Sequence, residues 1–431
     1  MKRFKEYEPD QMLLLPPSLK EWLPEEHLAN FISDIVDELD LAEVYRVYES
    51  NGGGQPAYEP RMMVKLLLYG YCVGVPSSRK IENKTYEDVG FRVLSANQHP
   101  DHDTISEFRR RHLKKLSLLF VQVLKLCRKS RMVKLGHVCL DSTKIKANAS
   151  KHKAMSYVRM CEKEKELEEK VRKLLEEAEA VDKEEDRKYG KGKRGDELPE
   201  ELRFHKSRLE KIREAKKALE EEEREKSSDG DKKGVPDKRQ RNFTDPESKI
   251  MKDGSTKSFI QGYNCEIAVD AEAQVIVAAD VSQEAIDKRQ FKPVIEKVKE
   301  NTGKIPEEVS ADAGYFSEEN IIYATQEGID AYVSPDKIKH GEKQPLIKGR
   351  ISKSLSIKER MRRKLRTKLG KERYSKRKET AEPVFGQIKE RRGFRQFLLR
   401  GLEKVKAEWQ VICLTHNLLK LYRYAYVPAN A

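Results

Sequence analysis

His137-Val138-Cys139-Leu140-Asp141-Ser142-Thr143 is a short apolar run that ends on a carboxylate. Such a run reads as a buried strand. In an α/β sheet, reactive groups gather outside the carboxyl ends of strands, so Asp141 is placed to hold a metal. The competing reading is ordinary, because Asp also opens turns and caps helices. A second run of the same form, Glu308-Val309-Ser310-Ala311-Asp312, and a later Glu382 in a basic segment favour the metal. Three acids so far apart along the chain must be assembled by a fold.

Composition sets the outer limits. At 431 residues the chain can bury a sizeable core, and two or three domains are expected. A net charge of +14 and a pI near 9.2 imply an anionic partner, and nucleic acid is the commonest one. The six cysteines are scattered, with neither a CxxC pair nor a zinc-like His spacing, and suit reduced, mostly buried thiols in a cytosolic protein. No signal peptide and no apolar run near the ~20 residues of a membrane span is present, so no membrane association is expected.

Residues 1–24 read as an irregular lead-in. Leu28, Phe31, Ile32, Ile35, Val36 and Leu39 recur at helical spacing behind Pro24. The Asn-Gly-Gly-Gly run at 51–54 breaks the chain, and Pro60 opens a second helix through Met63, Leu67 and Tyr71. A third helix is expected over 77–83. Thr104-Ile105-Ser106-Glu107 has a capping-box pattern, followed by an apolar face of Ile105, Phe108, Leu116, Leu119, Val123 and Leu124. Arg109, Arg110 and Arg111 lie in its second turn, which makes a helix-turn-helix contact with DNA one reading and a solvated helix face the other.

Residues 151–227 are different material. Met160, Leu167, Val171, Leu174, Ala178 and Val181 step by sevens, fours and threes, and Leu202, Leu209, Ile212 and Leu219 do likewise beyond Lys-Gly-Lys-Arg-Gly-Asp. Two amphipathic helices folded back as an antiparallel coiled-coil hairpin are expected, serving as an arm for DNA or a second subunit, or as a solvated insertion without a partner. A polar linker, 227–235, follows.

The sheet is expected to resume after Gly254. Phe259, Tyr263, Cys265, Ile267 and Val269 alternate as in a half-buried strand, and 274–281 supplies another. A helix on Phe291, Ile295 and Val298, the strand 308–312, a short helix from Ser317 and a strand over 329–333 complete the order. Asp270 and Asp280 also follow strands but read as turn residues. Three antiparallel strands followed by two helix-connected parallel ones is the ribonuclease H-like order, whereas periodicity alone gives only a mixed α/β sheet.

From Lys337 to Lys378 there are 18 Lys or Arg against 3 Asp or Glu, an imbalance that favours phosphate binding over a solvated face. Glu382 follows directly, with Lys389 seven helical steps later on nearly the same face. Tyr374 and Lys378 would share that stripe in a continuous helix, but Pro383 is expected to start or kink it. A C-terminal core helix over 403–421 would use Trp409 for packing.

Leu140-Asp141-Ser142-Thr143, Tyr263-Asn264, Ala311-Asp312-Ala313-Gly314-Tyr315 and Tyr374…Glu382…Lys389 together resemble the DDE transposases of bacterial insertion sequences. Within them the set is similar to the group with a Tyr-Arg-Glu-Lys signature, Tyr-x2-Arg-x3-Glu-x6-Lys. Tyr374 and Arg377 fit that spacing, but position 381 is Ala and the Glu comes one residue later. Either Lys378 takes the arginine's role or Arg377 reaches across the extra residue. Glu382 is preferred to Glu379 because it keeps the interval to Lys389.

The resemblance implies a ribonuclease H-like mixed-sheet catalytic domain over 131–431, interrupted at 151–235 by the coiled-coil hairpin and linker, behind an all-α DNA-binding domain over 1–130. It implies Asp141, Asp312 and Glu382 as ligands of two Mg²⁺ ions, or Mn²⁺, with Asp141 between them. Tyr374, Arg377 or Lys378, and Lys389 would contact phosphates. The expected activity is cutting at the element's own ends and joining them to target DNA, as a homodimer on double-stranded DNA near the bacterial nucleoid, in the cytoplasm. The competing functions are a catalytically silent DNA-binding regulator and a ribonuclease H-like nuclease that cuts without joining.

Overall fold

The computed structural model describes residues 18–48, 56–189, 200–226, 234–254, 256–337, 345–349, 351–352 and 354–426, with the backbone alone for 20, 177–189 and 200–202. The Asn-Gly-Gly-Gly run, the Lys-Gly-Lys-Arg-Gly-Asp connection, most of the 227–235 linker and parts of the 337–378 segment lie outside the described residues.

Helices come first. They are α1 (Leu28–Glu38), α2 (Ala42–Tyr45), α3 (Pro60–Cys72), α4 (Ser78–Glu87), α5 (Val89–Leu94) and α6 (His102–Lys129). Pro60 takes the first turn of α3, where a missing N–H costs nothing, and the Glu59 carboxylate accepts from Met62 N at 2.7 Å. The expected capping box at Thr104 is corrected. Asp101 accepts from Thr104 N at 2.6 Å, so the cap lies three residues earlier, α6 begins at His102 and Thr104 lies inside its first turn. The apolar face behind it, Ile105 through Leu124, is buried as the spacing requires.

The sheet is built on β1 (His137–Lys146), which runs five residues past Asp141, the expected end, so Asp141 lies inside the strand. β2 (Ala154–Ser156) pairs with β3 (Gln240–Asn242) as a separate two-stranded ladder flanking the inserted helices α7 (Tyr157–Tyr189) and α8 (Glu200–Lys226). Main-sheet strands follow as β4 (Lys249–Lys252), β5 (Phe259–Asp270), β6 (Val275–Ser282), β7 (Glu308–Ala311) and β8 (Asp330–Val333). β6, β5 and β1 are antiparallel neighbours, while β1, β7 and β8 run parallel. The parallel steps are carried by α9 (Phe291–Thr302) and α10 (Glu318–Gln326), because parallel neighbours need a crossover. β4, which the sequence reading passed over, pairs with the opening residues of β5.

The half-buried reading of β5 is also corrected. Every residue from Ile260 to Asp270 is buried, because helices cover the strand as well as its sheet neighbours. The last helices are α11 (Ile357–Leu365), α12 (Lys368–Gly386) and α13 (Leu402–Tyr426). α13 packs on β6, α6 and α3, and its Asn417 side chain pairs with both the N–H and the C=O of Ile276 at 2.8 Å, closing the open edge of β6. Trp409 is fully buried and donates to Glu266 O at 3.2 Å, which makes it a packing residue. One continuous core runs from Ala29 in α1 to Leu421 in α13.

α7 and α8 lie antiparallel. Tyr157 hydroxyl donates to Glu220 at 2.7 Å, and Glu164 pairs with Lys216 at 2.9 Å and Arg213 at 3.2 Å. Met160, Leu167, Leu209, Ile212, Ala215 and Leu219 are buried between them, and Val171 and Leu174 are half-buried. The side chains of Ala178, Val181 and Leu202 lie outside the described residues. Among the described residues, no helix is long and apolar enough to cross a membrane.

Candidate active site

The two faces of β1 serve different partners, because successive strand residues point to opposite sides. Asp141 and Thr143 face α12 and the segment after it. Ser142 and Lys144 face the turn that enters α9. Parallel pairing of β1 with β7 ends at Leu140–Ala311, so Asp141 and Asp312 emerge together just past the ladder. Asp312 also caps a single turn, Ala313–Tyr315, by accepting from Gly314 N at 2.8 Å.

α12 crosses β1, β5 and β7 and brings Tyr374, Arg377 and Glu382 to that edge. The expected break at Pro383 does not occur. Proline in the last turn leaves the carbonyl of Glu379 without its helical donor, and the Gln274 side chain supplies one at 2.7 Å. The helix then loosens into a π turn over Gln387–Arg391, a departure common at functional sites. Lys389 lies in that turn, and its Nζ donates to Thr143 Oγ1 at 2.9 Å and Lys144 O at 3.2 Å.

Arg377 stands among the acids. Its Nη1 is 3.7 Å from Asp141 Oδ2 and 3.3 Å from Glu382 Oε1, and its guanidinium lies 5.8 Å from the centre of the Tyr374 ring. Lys378 points to solvent. Of the two basic residues open from sequence, Arg377 is therefore the one that reaches the carboxylates. Burial pushes the Asp141 carboxyl up to about 7; Arg377 opposes this, and the charges of Asp312 and Glu382 reinforce it. Asp312 is raised for the same first reason, burial, against the Gly314 N–H. Among the described residues no three ligating side chains already stand as a metal cluster. The donors are nonetheless hard carboxylate oxygens, the type Mg²⁺ and Mn²⁺ prefer, and Arg377 lies between two of them.

A second layer went unnoticed in the sequence. Asp287, in the turn before α9, accepts through Oδ1 from Ser142 Oγ at 2.8 Å, Asn264 Nδ2 at 2.7 Å and Lys144 Nζ at 3.1 Å. A Cβ on Gly314 would meet Asp287 Oδ2 at 2.9 Å and Asp312 Oδ1 at 3.0 Å, so any larger residue would push against both carboxylates. Glu266, buried behind them, accepts from Asn264 and from the Tyr315 hydroxyl, and burial raises its carboxyl well above the usual range. No local motif marks Asp287; only the pairing of Lys144 with Asn264 across β1 and β5 brings its partners together.

Other sequence candidates fall elsewhere. Arg109, one of the residues expected to meet DNA, is 7 % exposed and donates to Pro76 O at 2.6 Å. Arg110 and Arg111 are exposed and paired with Glu107. Asp270 accepts from the N–H groups of Lys134, Leu135 and Glu272, and Asp280 pairs with Lys297, so both are structural.

Comparison with known proteins finds matches at both ends of the chain. Residues 17–111 match the family described as transposase domain (DUF772), and residues 340–422 match the transposase DDE domain. No curated protein and no solved structure matches. The second match spans Tyr374, Arg377, Glu382 and Lys389, the residues that α12 and its π turn carry to the end of the β1–β7 ladder, and the two matches together support an insertion-sequence DDE transposase.

Proposed function

We propose that this transposase binds the ends of its own element, cuts them and joins the freed ends to target DNA, with Asp141, Asp312 and Glu382 as its metal ligands. The observation that carries this reading is the contact of one arginine with both Asp141 on β1 and Glu382 on α12, at 3.7 and 3.3 Å, with Asp312 at the end of β7 near enough to act on the same charge. Two divalent cations about 3.5–4 Å apart would supply stabilisation of the attacking and leaving oxygens at phosphorus. Asp141, between the other two acids in charge contact, is the ligand suited to both ions. Lys389, tethered to β1 just beyond Asp141, and Tyr374, whose ring centre lies 5.8 Å from the Arg377 guanidinium, are suited to steady the phosphate that is cut. Arg377 in contact with Glu382 supports the Tyr-Arg-Glu-Lys grouping despite the extra residue.

The strand order supports a ribonuclease H-like catalytic domain over 131–431 and a helical DNA-binding domain over 1–130. Exposed Arg110, Arg111 and Lys378 are the expected phosphate contacts outside the centre. The α7–α8 hairpin is read as a coiled coil whose partner is a second subunit rather than DNA, because acids outnumber bases 12 to 9 in α7 and equal them 9 to 9 in α8. A homodimer on DNA, acting at the nucleoid in the cytoplasm, follows from this reading. The test is incubation of the full chain with Mg²⁺ and a labelled duplex bearing the element's end, followed for nicking and joining. Cleavage with joining is expected; cleavage alone would make the protein a nuclease, and binding alone a regulator.

A further inference from the structure

Arg377 occupies an unusual place for a residue expected to touch phosphate. Its side chain is 15 % exposed, and its Nη1 stands between Asp141 and Glu382. Separations of 3.7 and 3.3 Å exceed the roughly 2.7–2.9 Å of a strong charge-assisted hydrogen bond. Its Nε is buried without a hydrogen-bond partner. The guanidinium is thus held by charge and by the Tyr374 ring rather than by a fitted set of acceptors. Guanidinium cannot shed its proton in a protein, so its charge leaves only when the side chain moves.

We propose that Arg377 competes with divalent cations for Asp141 and Glu382, so that metal enters only as the guanidinium leaves. This rests on the reading of those two acids as metal ligands. Mg²⁺ demands oxygen contacts at about 2.0–2.1 Å, which a cationic nitrogen between the same two carboxylates opposes by charge and by space. A DNA phosphate can offer two non-bridging oxygens to the guanidinium fork, a bidentate acceptance that neither Asp141 nor Glu382 gives in its single contact with Nη1. DNA arrival would then draw Arg377 off the acids and open them to metal in one movement. The coupling keeps the centre from charging with metal before the substrate is present.

The probe is Mn²⁺ alone, with the free ion measured by electron paramagnetic resonance against the full chain. Without DNA, Arg377→Gln should bind Mn²⁺ about tenfold or more tighter than wild type, because a unit charge about 4 Å away repels strongly at the dielectric of a protein interior. Its melting temperature should also rise more on adding Mn²⁺. Arg377→Met, which keeps the apolar stem, should behave alike if the Gln variant folds poorly. Adding a duplex that carries the element's end should tighten Mn²⁺ binding by wild type and leave Arg377→Gln nearly unchanged. Equal or weaker Mn²⁺ binding by both variants, or equal tightening by DNA in wild type and variant, would overturn the competition. Asp141→Asn separates the two failures. If it leaves Mn²⁺ binding untouched in wild-type and Arg377→Gln backgrounds, the metal reading itself falls; if it weakens binding while Arg377 has no effect, only the competition falls.

Discussion

Asp141→Asn should make the metal-free protein more stable while abolishing its chemistry. The Asp141 carboxyl is buried, and its pKa rises from 3.8 to about 7 on folding. Below about 3.8 both folded and unfolded chains hold the proton, and the residue contributes nothing to the pH dependence. Between 3.8 and about 7 the unfolded chain ionises first, so stability falls as pH rises; above about 7 the full penalty is present. A separation of about 3 units at about 1.4 kcal/mol each gives a limit near 4 kcal/mol. Asn cannot ionise. Relative to wild type it should gain about 2–3 kcal/mol between pH 5 and pH 8, whatever constant it loses by giving up the contact with Arg377. Urea unfolding at both pH values, in EDTA, measures that gain. In parallel, a labelled end duplex with Mg²⁺ should show binding near wild type and cleavage at background. A stability difference that does not move with pH would refute the electrostatic argument, and a folded variant that cuts at the wild-type rate would refute the metal assignment.

Three further outcomes are expected. Glu408 is fully buried, and its carboxyl is pushed up to about 7 by burial against the N–H groups of Leu398 and Leu399. Glu408→Gln, which keeps an accepting oxygen, should therefore gain on wild type as pH rises from 5 to 8, with cleavage unchanged; a gain that shrank with pH would contradict this. Lys389→Met removes the donor to Thr143 and the Lys144 carbonyl, and should lower cleavage at least about tenfold with a stability loss of about 1 kcal/mol. Unchanged cleavage would make Lys389 a tether only. Arg109→Ala should lose about 1–3 kcal/mol of stability and keep the salt dependence of DNA binding. Arg110→Ala and Arg111→Ala should each reduce the slope of log affinity against log salt by about 0.9 and leave stability within about 0.5 kcal/mol. Slopes that respond only to Arg109 would reverse that assignment.

The apolar run before Asp141 and its counterpart before Asp312 were legible as strands because burial and period-two geometry act locally. Helices α1, α3, α9 and α13 were legible for the same reason, each through its own apolar face and end signals. Ends decided by competition between neighbouring groups were harder. Thr104 had the right pattern for a cap, but Asp101, three residues upstream, accepts from the N–H of Thr104 itself and so starts the helix before it. Pro383 argued for a break by every local rule, and the helix continues because Gln274, over a hundred residues away, supplies the missing donor.

By itself, then, the sequence determined the order of the main strands other than β4 and of the helices between them, the two acids that follow the apolar runs of β1 and β7, and the basic balance that calls for an anionic partner. These follow from residue type and short-range periodicity. Only the tertiary structure decided that Arg377 and not Lys378 meets the acids, that Arg109 turns inward, and that Asp287, Lys144 and Asn264 form a layer behind them. Which way a long charged side chain points depends on the acceptors that other segments bring within about 3–4 Å, and no reading along one dimension contains those distances.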